Sequence, residues 1–316
     1  MRAGFFLFIV FFLHACEGEP DPFYRDQMRD FVGSISAYAK ERAPGFIVIP
    51  QNGVPLVTMD GEPDGEPHSG YLEVIDGQGQ EDLFFGYRED NRATPSGETD
   101  YLLGFLRVCE QQGTEVMVTD YCSGAVNISE SFNRNKEEGF ISFAASEREL
   151  NVIPATSSLN GENSDSIADL AAARNFLYLI NPERYNSAVE FADAVTATNY
   201  DLLITDLFFK DAALSPETVQ TLKEKANGGT RLVIAYMSIG EAEDYRYYWN
   251  PAWKTGEPAW LDKENPDWEG NYRVKYWDTA WQDIILGGDA SYLDRIIAAG
   301  FDGVYLDIVE AFETYE

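Results

Sequence analysis

Carboxylates are the side chains of this chain best placed to do chemistry. The apolar run Gly303-Val304-Tyr305-Leu306 leads straight into Asp307, with Glu310 close behind. Other runs of the same kind lead into Gln51-Asn52, Asp76 with Glu81, Asp120-Tyr121 and Asp206, and RLVIAYMS runs on into Glu241, Glu243, Asp244, Tyr245 and Arg246. In a barrel of parallel strands, the residues that follow each strand share one face, and catalytic groups sit there. Two carboxylates suffice for glycosidic bond cleavage: one protonates the leaving oxygen, and the other attacks the anomeric carbon or activates water. The chain is acidic throughout, so part of this series is also explained as solvated surface.

Other catalytic vocabularies are thin. The histidines are His14 and His68, and His14 lies in an N-terminal apolar run. A site of several histidines for zinc is therefore excluded, and a Ser-His-Asp triad would have to use His68 in the polar loop EPDGEPHSG. No Cys-x-x-Cys pair, phosphate-binding Gly-rich loop or dinucleotide fingerprint is present. Neither a metal nor an organic cofactor is expected.

A net charge of −31 argues against nucleic acid as a partner, because phosphate binding needs clustered Lys and Arg. It also disfavours an anionic membrane surface. Two readings of the charge stay open: a solvated surface suited to a salt-rich habitat, or an acidic cleft that draws in a cationic substrate.

The opening MRAGFFLFIVFFLHAC has one Arg, a short apolar run and a small residue before Cys16. This is the pattern of a bacterial lipoprotein signal, with Leu13-His14-Ala15-Cys16 as the lipobox. It predicts a signal over 1–16, lipidation at Cys16, a tether over 17–22 and a cell-envelope or secreted protein whose only membrane contact is its lipid anchor. Plain secretion is the alternative, because His14 is atypical there.

The elements that must carry these side chains are short apolar runs alternating with helical patterns. The helix-like RDQMRDFVGSISAYAKERA precedes GFIVIP (45–50) and YLEVIDG (71–77). A helix through TDYLLGFLRVCEQQG leads to EVMVTDY (115–121) and GFISFAA (139–145), and ATSSLNGENSDS (155–166) reads as a linker. Four more runs follow: NFLYLI (175–180), YDLLITD (200–206), RLVIAYMS (231–238) and FDGVYLD (301–307). In the helix that starts SPETV, Ser215 is the expected cap. Continuous apolar runs suit parallel strands buried on both faces. Eight of them alternating with helices predict an α/β fold, a (β/α)8 TIM barrel, with an open doubly wound sheet as the other solution.

The six tryptophans, Trp249 to Trp281, all lie between RLVIAYMS and FDGVYLD, with Tyr245, Tyr247, Tyr248, Tyr272 and Tyr276 among them. Aromatic faces stack on sugars and on cations. A long insertion also needs a core of its own, so a mixture of the two roles is expected.

The stretches NFLYLINPE, YDLLITDLFF, IAYMSIGEAEDYR and GFDGVYLDIVEA resemble the first half of a group of glycoside hydrolases related to the endo-α-1,4-polygalactosaminidases, glycoside hydrolase family 114. GFIVIPQNG, VIDGQGQEDLFFGYRED, VMVTDYC and GFISFAASERELNVIP resemble the second half, yet come first in this chain. The resemblance implies a circularly permuted barrel over 23–316, with strands five to eight in 23–154, a linker over 155–170 and strands one to four in 171–316; a shuffled or truncated gene is the other explanation. It further implies a hydrolase of an α-linked, galactosamine-containing polysaccharide, with Asp307 as nucleophile or charge stabiliser. Glu81 would be the acid/base, with Asp76 and Glu89 as competitors. Gln51, Asp120, Tyr121, Asp206, Tyr236, Glu241, Asp244 and Arg246 would shape the sugar subsites, together with Asp76, Trp277 and Glu310. Structural alternatives are a Glu241–Arg246 pair bracing a loop, and helix capping by Asp120 and Asp206. The rival function is a glycan-binding barrel without chemistry.

Overall fold

The computed structural model describes residues 22–154, 159–288 and 290–316. Cys16, the predicted signal and the tether up to residue 21 lie outside the described residues. Eight strands run parallel: β1 (Ile47–Pro50), β2 (Gly77–Glu81), β3 (Glu115–Tyr121), β4 (Ile141–Ala145), β5 (Phe176–Tyr178), β6 (Leu202–Asp206), β7 (Leu232–Ser238) and β8 (Gly303–Asp307). They form a five-stranded sheet in the order β1-β8-β7-β6-β5 and a three-stranded sheet in the order β2-β3-β4.

Two seams separate these sheets. At the first, Gln51 and Gly79 make a parallel bridge, supported by Asn52 N donating to Gly79 O at 2.9 Å and Asp76 N to Val48 O at 2.9 Å. At the second, β4 lies against β5, with the Phe143 and Phe176 rings 5.7 Å apart. The last strand thus sits between β7 and the first strand, in the register Ile47↔Gly303 to Pro50↔Leu306. This places the tips of β8, β1 and β2 side by side.

Two glycines allow that closeness. A Cβ on Gly303 would lie 2.4 Å from Ile47 O, and one on Gly79 would lie 2.1 Å from the Tyr305 hydroxyl. Gly79 explains why β2 escapes the pattern of apolar runs. The predicted strand YLEVIDG is instead a helical turn, Ser69–Leu72, and a loop, while the strand itself is Gly-Gln-Gly-Gln-Glu. Its glycine makes room for the buried Tyr305 ring, and the Gln78 amide donates to Asn52 O and Gly79 O at 2.8 Å.

Helices cover the strands, the first being Pro22–Arg42. Ser215 caps Pro216–Leu222 through Thr218 N at 3.2 Å, as its position before Pro predicts. Between β7 and β8 lies a small antiparallel sheet (Glu241–Glu243, Leu261–Glu264, Asn271–Val274) and two helices. Tryptophan supplies its core: Trp281 and Trp260 are buried, and Trp249 and Trp253 pack beside them. Trp268 alone of the six is exposed. Among the described residues no helix is long and apolar enough to cross a membrane.

Candidate active site

Because β1 lies between β8 and β2, its tip residue Gln51 stands between Asp307 and Glu81. Gln51 Nε2 donates to Glu81 Oε2 at 2.9 Å and to Asp307 Oδ1 at 2.8 Å. The amide is oriented from its other end, where Tyr178 on β5 donates to Gln51 Oε1 at 3.0 Å. One nitrogen therefore touches both acids, and their facing oxygens are no farther apart than two hydrogen bonds laid end to end. That is short of the roughly 6.5–9.5 Å at which inverting glycosidases hold their carboxyls to seat a water.

Each acid has further donors. Glu81 accepts from Asn52 Nδ2 at 3.1 Å and from the Tyr121 hydroxyl, and Asn52 Oδ1 in turn accepts from Glu81 N at 3.1 Å. Asp307 accepts from the Tyr236 hydroxyl at 2.5 Å. Burial, with Glu81 beside the first and Asp307 beside the second, drives the Tyr121 and Tyr236 phenols well above their usual pKa, so both remain donors. Side-chain alternation along β3 decides which residues face this hollow. Tyr121 points in, whereas Asp120 points out.

The Asp307 carboxyl is pushed up to about 7, by burial first and then by the charge of Glu81. Glu310 is raised well above the ordinary glutamate range, by burial and then by Asp307, and its Oε2 has no hydrogen-bond partner. Glu241, buried at the start of the strand Glu241–Glu243, accepts from Asn265 Nδ2 at 2.8 Å and leaves Oε2 without a hydrogen bond among the described residues; burial raises it too. Acids without an ion-pair partner among the described residues thus crowd this end of the strands.

The remaining candidates stand elsewhere. Asp120 is fully buried and accepts from Phe84 N, Phe85 N, Ser131 Oγ and Asn135 Nδ2, which leaves it no face toward a ligand. It ties the loop after β2 to the helix Ala125–Glu138 without capping that helix. Asp76 precedes β2 and lies at the opposite end from Glu81, accepting from Val48 N at 2.8 Å and pairing with Lys40 at 3.0 Å. Glu89 is an exposed partner of Arg92. Asp244 is exposed on the rim. Trp277 packs on Tyr24, Tyr276 and Tyr315 at 4.8–5.1 Å and braces the first helix.

Arg246 is buried and pairs with Asp206 at 2.7 Å and with Glu243; the bracing partner is Glu243, not Glu241. Asp206 binds Phe208 N at 2.7 Å, a local turn and not a helix cap. Cys109 and Cys122 are free and buried, their thiols pushed up to about 12 by burial, so neither supplies a thiolate. His68 Nδ1 accepts from Tyr71 N at 3.1 Å and starts a helical turn. Among the described residues no cluster of His, Cys, Asp and Glu is suited to a metal ion.

Reading the residues alone passes over Tyr178, Arg148 and the grip of Asn52 on Glu81. For Tyr178 the available signal is a tyrosine inside an apolar run, NFLYLI. A phenol in a buried strand needs a hydrogen-bond partner, and the polar groups at the strand tips are the nearest ones.

Residues 165–316 match the family described as Glycoside-hydrolase family GH114. Three curated relatives, all described as uncharacterized proteins, align with parts of the chain. One from Deinococcus radiodurans is 45% identical over 124 residues, 39% of this chain and 38% of its own length. One from Methanocaldococcus jannaschii is 38% identical over 175 residues, 55% of this chain and 48% of its own. One from Thermotoga maritima is 41% identical over 120 residues, 38% of this chain and 35% of its own. The chain thus spans less than half the length of each of these relatives.

Proposed function

We propose that this protein is a glycoside hydrolase that cleaves an α-linked, galactosamine-containing polysaccharide by double displacement, with Asp307 as nucleophile and Glu81 as acid/base. The observation that carries the reading is the shared contact of Gln51 Nε2 with both acids. The match of residues 165–316 to family GH114 supports the reaction class. The eight parallel strands and the pairing of the first with the last support a permuted (β/α)8 barrel. The LHAC stretch supports export and lipidation at Cys16.

The pair carries one proton, which rests on Asp307 in the free protein and passes to Glu81 once the sugar ammonium favours ionised Asp307. Asp307 Oδ1 then attacks the anomeric carbon while Glu81 gives that proton to the departing glycosidic oxygen. The bond to the leaving sugar breaks and a glycosyl–Asp307 ester forms. Glu81, now ionised, takes a proton from water, whose oxygen displaces Asp307 and restores both groups. Tyr236 and Gln51 hold the attacking carboxylate, and the hydrogen bonds of Tyr121 and Asn52 aim Glu81.

Charge supports a cationic sugar. The unneutralised acids Asp307, Glu310 and Glu241 would gain from an ammonium group, which also favours the ionised form of Asp307. Convergence of the two acids favours chemistry over binding alone. The test is reducing-end release from deacetylated polygalactosamine and from a neutral α-glycan, with the first-formed anomer read by proton NMR. Release from the cationic polymer with the α-anomer retained is expected. Equal rates on both polymers would remove the cationic substrate, and inversion would remove the double displacement.

A further inference from the structure

Arg148 stands on the loop after β4, outside the segment that matches the family. Its guanidinium is held by more partners than a rim side chain needs. Nε donates to Asp90 Oδ1 at 2.9 Å, Nη1 to Asp82 Oδ2 at 3.2 Å, and Nη2 to Asp82 Oδ1 at 2.9 Å and Gly86 O at 3.1 Å. Such a fork fixes the plane of the group as well as its position. The group lies over the Tyr121 ring, with Cζ 3.8 Å from the ring centroid.

Two local features build the clamp. Asp82 follows Glu81 with φ +59°, which turns its carboxylate off the strand toward Arg148. Gly86, at φ +118°, has no room for a side chain, since a Cβ there would lie 1.9 Å from Asp82 Oδ1. Two carboxylates and a left-handed glycine therefore hold one cation against one phenol ring. The hydroxyl of that phenol is the Tyr121 donor to Glu81 Oε1.

We propose that Arg148 is a positioning residue for the reaction: clamped by Asp82 and Asp90, it pins the Tyr121 ring, and Tyr121 aims the Glu81 carboxyl. The inference rests on the catalytic reading of Glu81. Arg148 acts through Tyr121, and a cation over a ring face restrains the ring without competing for its hydroxyl. An acid set slightly out of line loses rate and leaves ground-state binding intact.

The experiment compares Arg148→Met, Tyr121→Phe and the double variant, and solves the ligand-free crystal structure of Arg148→Met. In that structure the Tyr121 hydroxyl is expected to have left Glu81. The single variants are each expected to lose about 10- to 100-fold in kcat with KM within about twofold, and the double variant to be no slower than Tyr121→Phe. An unchanged Tyr121–Glu81 bond, or losses that multiply in the double variant, would overturn the proposal. Should Arg148→Met fail to fold, Arg148→Lys keeps the charge but cannot reach both aspartates, and the same loosening is expected of it. Should the wild type cleave no polysaccharide, the catalytic reading fails, and the crystal structure still decides the role of Arg148.

Discussion

The two ends of the parallel strands treat acids in opposite ways. At the starting end, Asp76, Asp201 and Asp302 stand immediately before β2, β6 and β8. Each accepts a backbone N–H from a neighbouring segment, Val48, Arg174 and Val233 respectively, and each pairs with a lysine. The pairs are Lys40 at 3.0 Å, Lys225 at 2.8 Å and Lys223 at 2.6 Å. At the finishing end Arg246 serves Asp206 and Glu243 and Arg148 serves Asp82 and Asp90, while Glu81, Asp307, Glu310 and Glu241 have no ion-pair partner among the described residues. Glu81 and Asp307 share one neutral amide there, and Glu310 and Glu241 each keep an oxygen without a partner. Paired acids at the starting end hold the fold, whereas burial raises the proton affinity of Asp307, Glu310 and Glu241, as a site arranged for chemistry requires.

Breaking a pair at the starting end should have the largest effect on stability. Lys225 and Asp201 are fully buried, and Lys225 also anchors the linker through Asn163 Oδ1 and Asp165 O. Lys225→Met strands a buried carboxylate and is expected to cost about 3–5 kcal/mol in denaturant unfolding. A loss below ~1 kcal/mol would erase the contrast between the ends.

Removing the charge at the finishing end should do the reverse. Asp307 titrates near 4 in an unfolded chain and at about 7 in the fold. The folded state holds its proton harder, so stability falls as pH climbs from about 4 through about 7. Asp307→Asn carries no such charge. It should therefore unfold at higher temperature than the wild type at pH 8 and at nearly the same temperature at pH 4. A variant less stable at both pH values would contradict the sign.

Tyr236→Phe sharpens the comparison further. A hydrogen bond to a charged group contributes about 1.5–3 kcal/mol, so kcat is expected to fall roughly 10- to 100-fold. The phenol lowers the pKa of Asp307. The reaction uses the one proton the pair shares, so wild-type kcat/KM should fall as pH rises through about 7, and without the phenol that limb should move higher. A limb rising through that same pH would contradict a shared proton.

The smallest effect belongs to the general field. For a cationic polymer, kcat/KM is expected to drop several-fold between about 50 and about 500 mM salt, and for a neutral glycan to stay level.

How much of this is legible in the residues follows from the same two ends. EVMVTDY, RLVIAYMS and FDGVYLD are apolar and β-branched, so their strands and the tip residue Asp307 can be read directly. GQGQE cannot, because its glycine and glutamines answer to Tyr305 and Asn52, which are distant in sequence. Placing that strand at 71–77 sets Asp76 at a tip, when it stands at the foot beside Lys40. Glu81 is visible only as a companion of Asp76, and its acid/base role comes only through family resemblance. Gln51 is visible as a tip residue, but its bridging contact depends on β1 lying between β8 and β2, a long-range pairing that no local pattern encodes.

The central claim is that Glu81 and Asp307 act as one carboxylate pair across Gln51. Turnover of deacetylated polygalactosamine by wild type, Glu81→Gln and Asp307→Asn, all checked for native folding, tests it most directly. The account predicts that each variant loses at least about 10³-fold in kcat. Either variant retaining turnover within about twofold of wild type would contradict it.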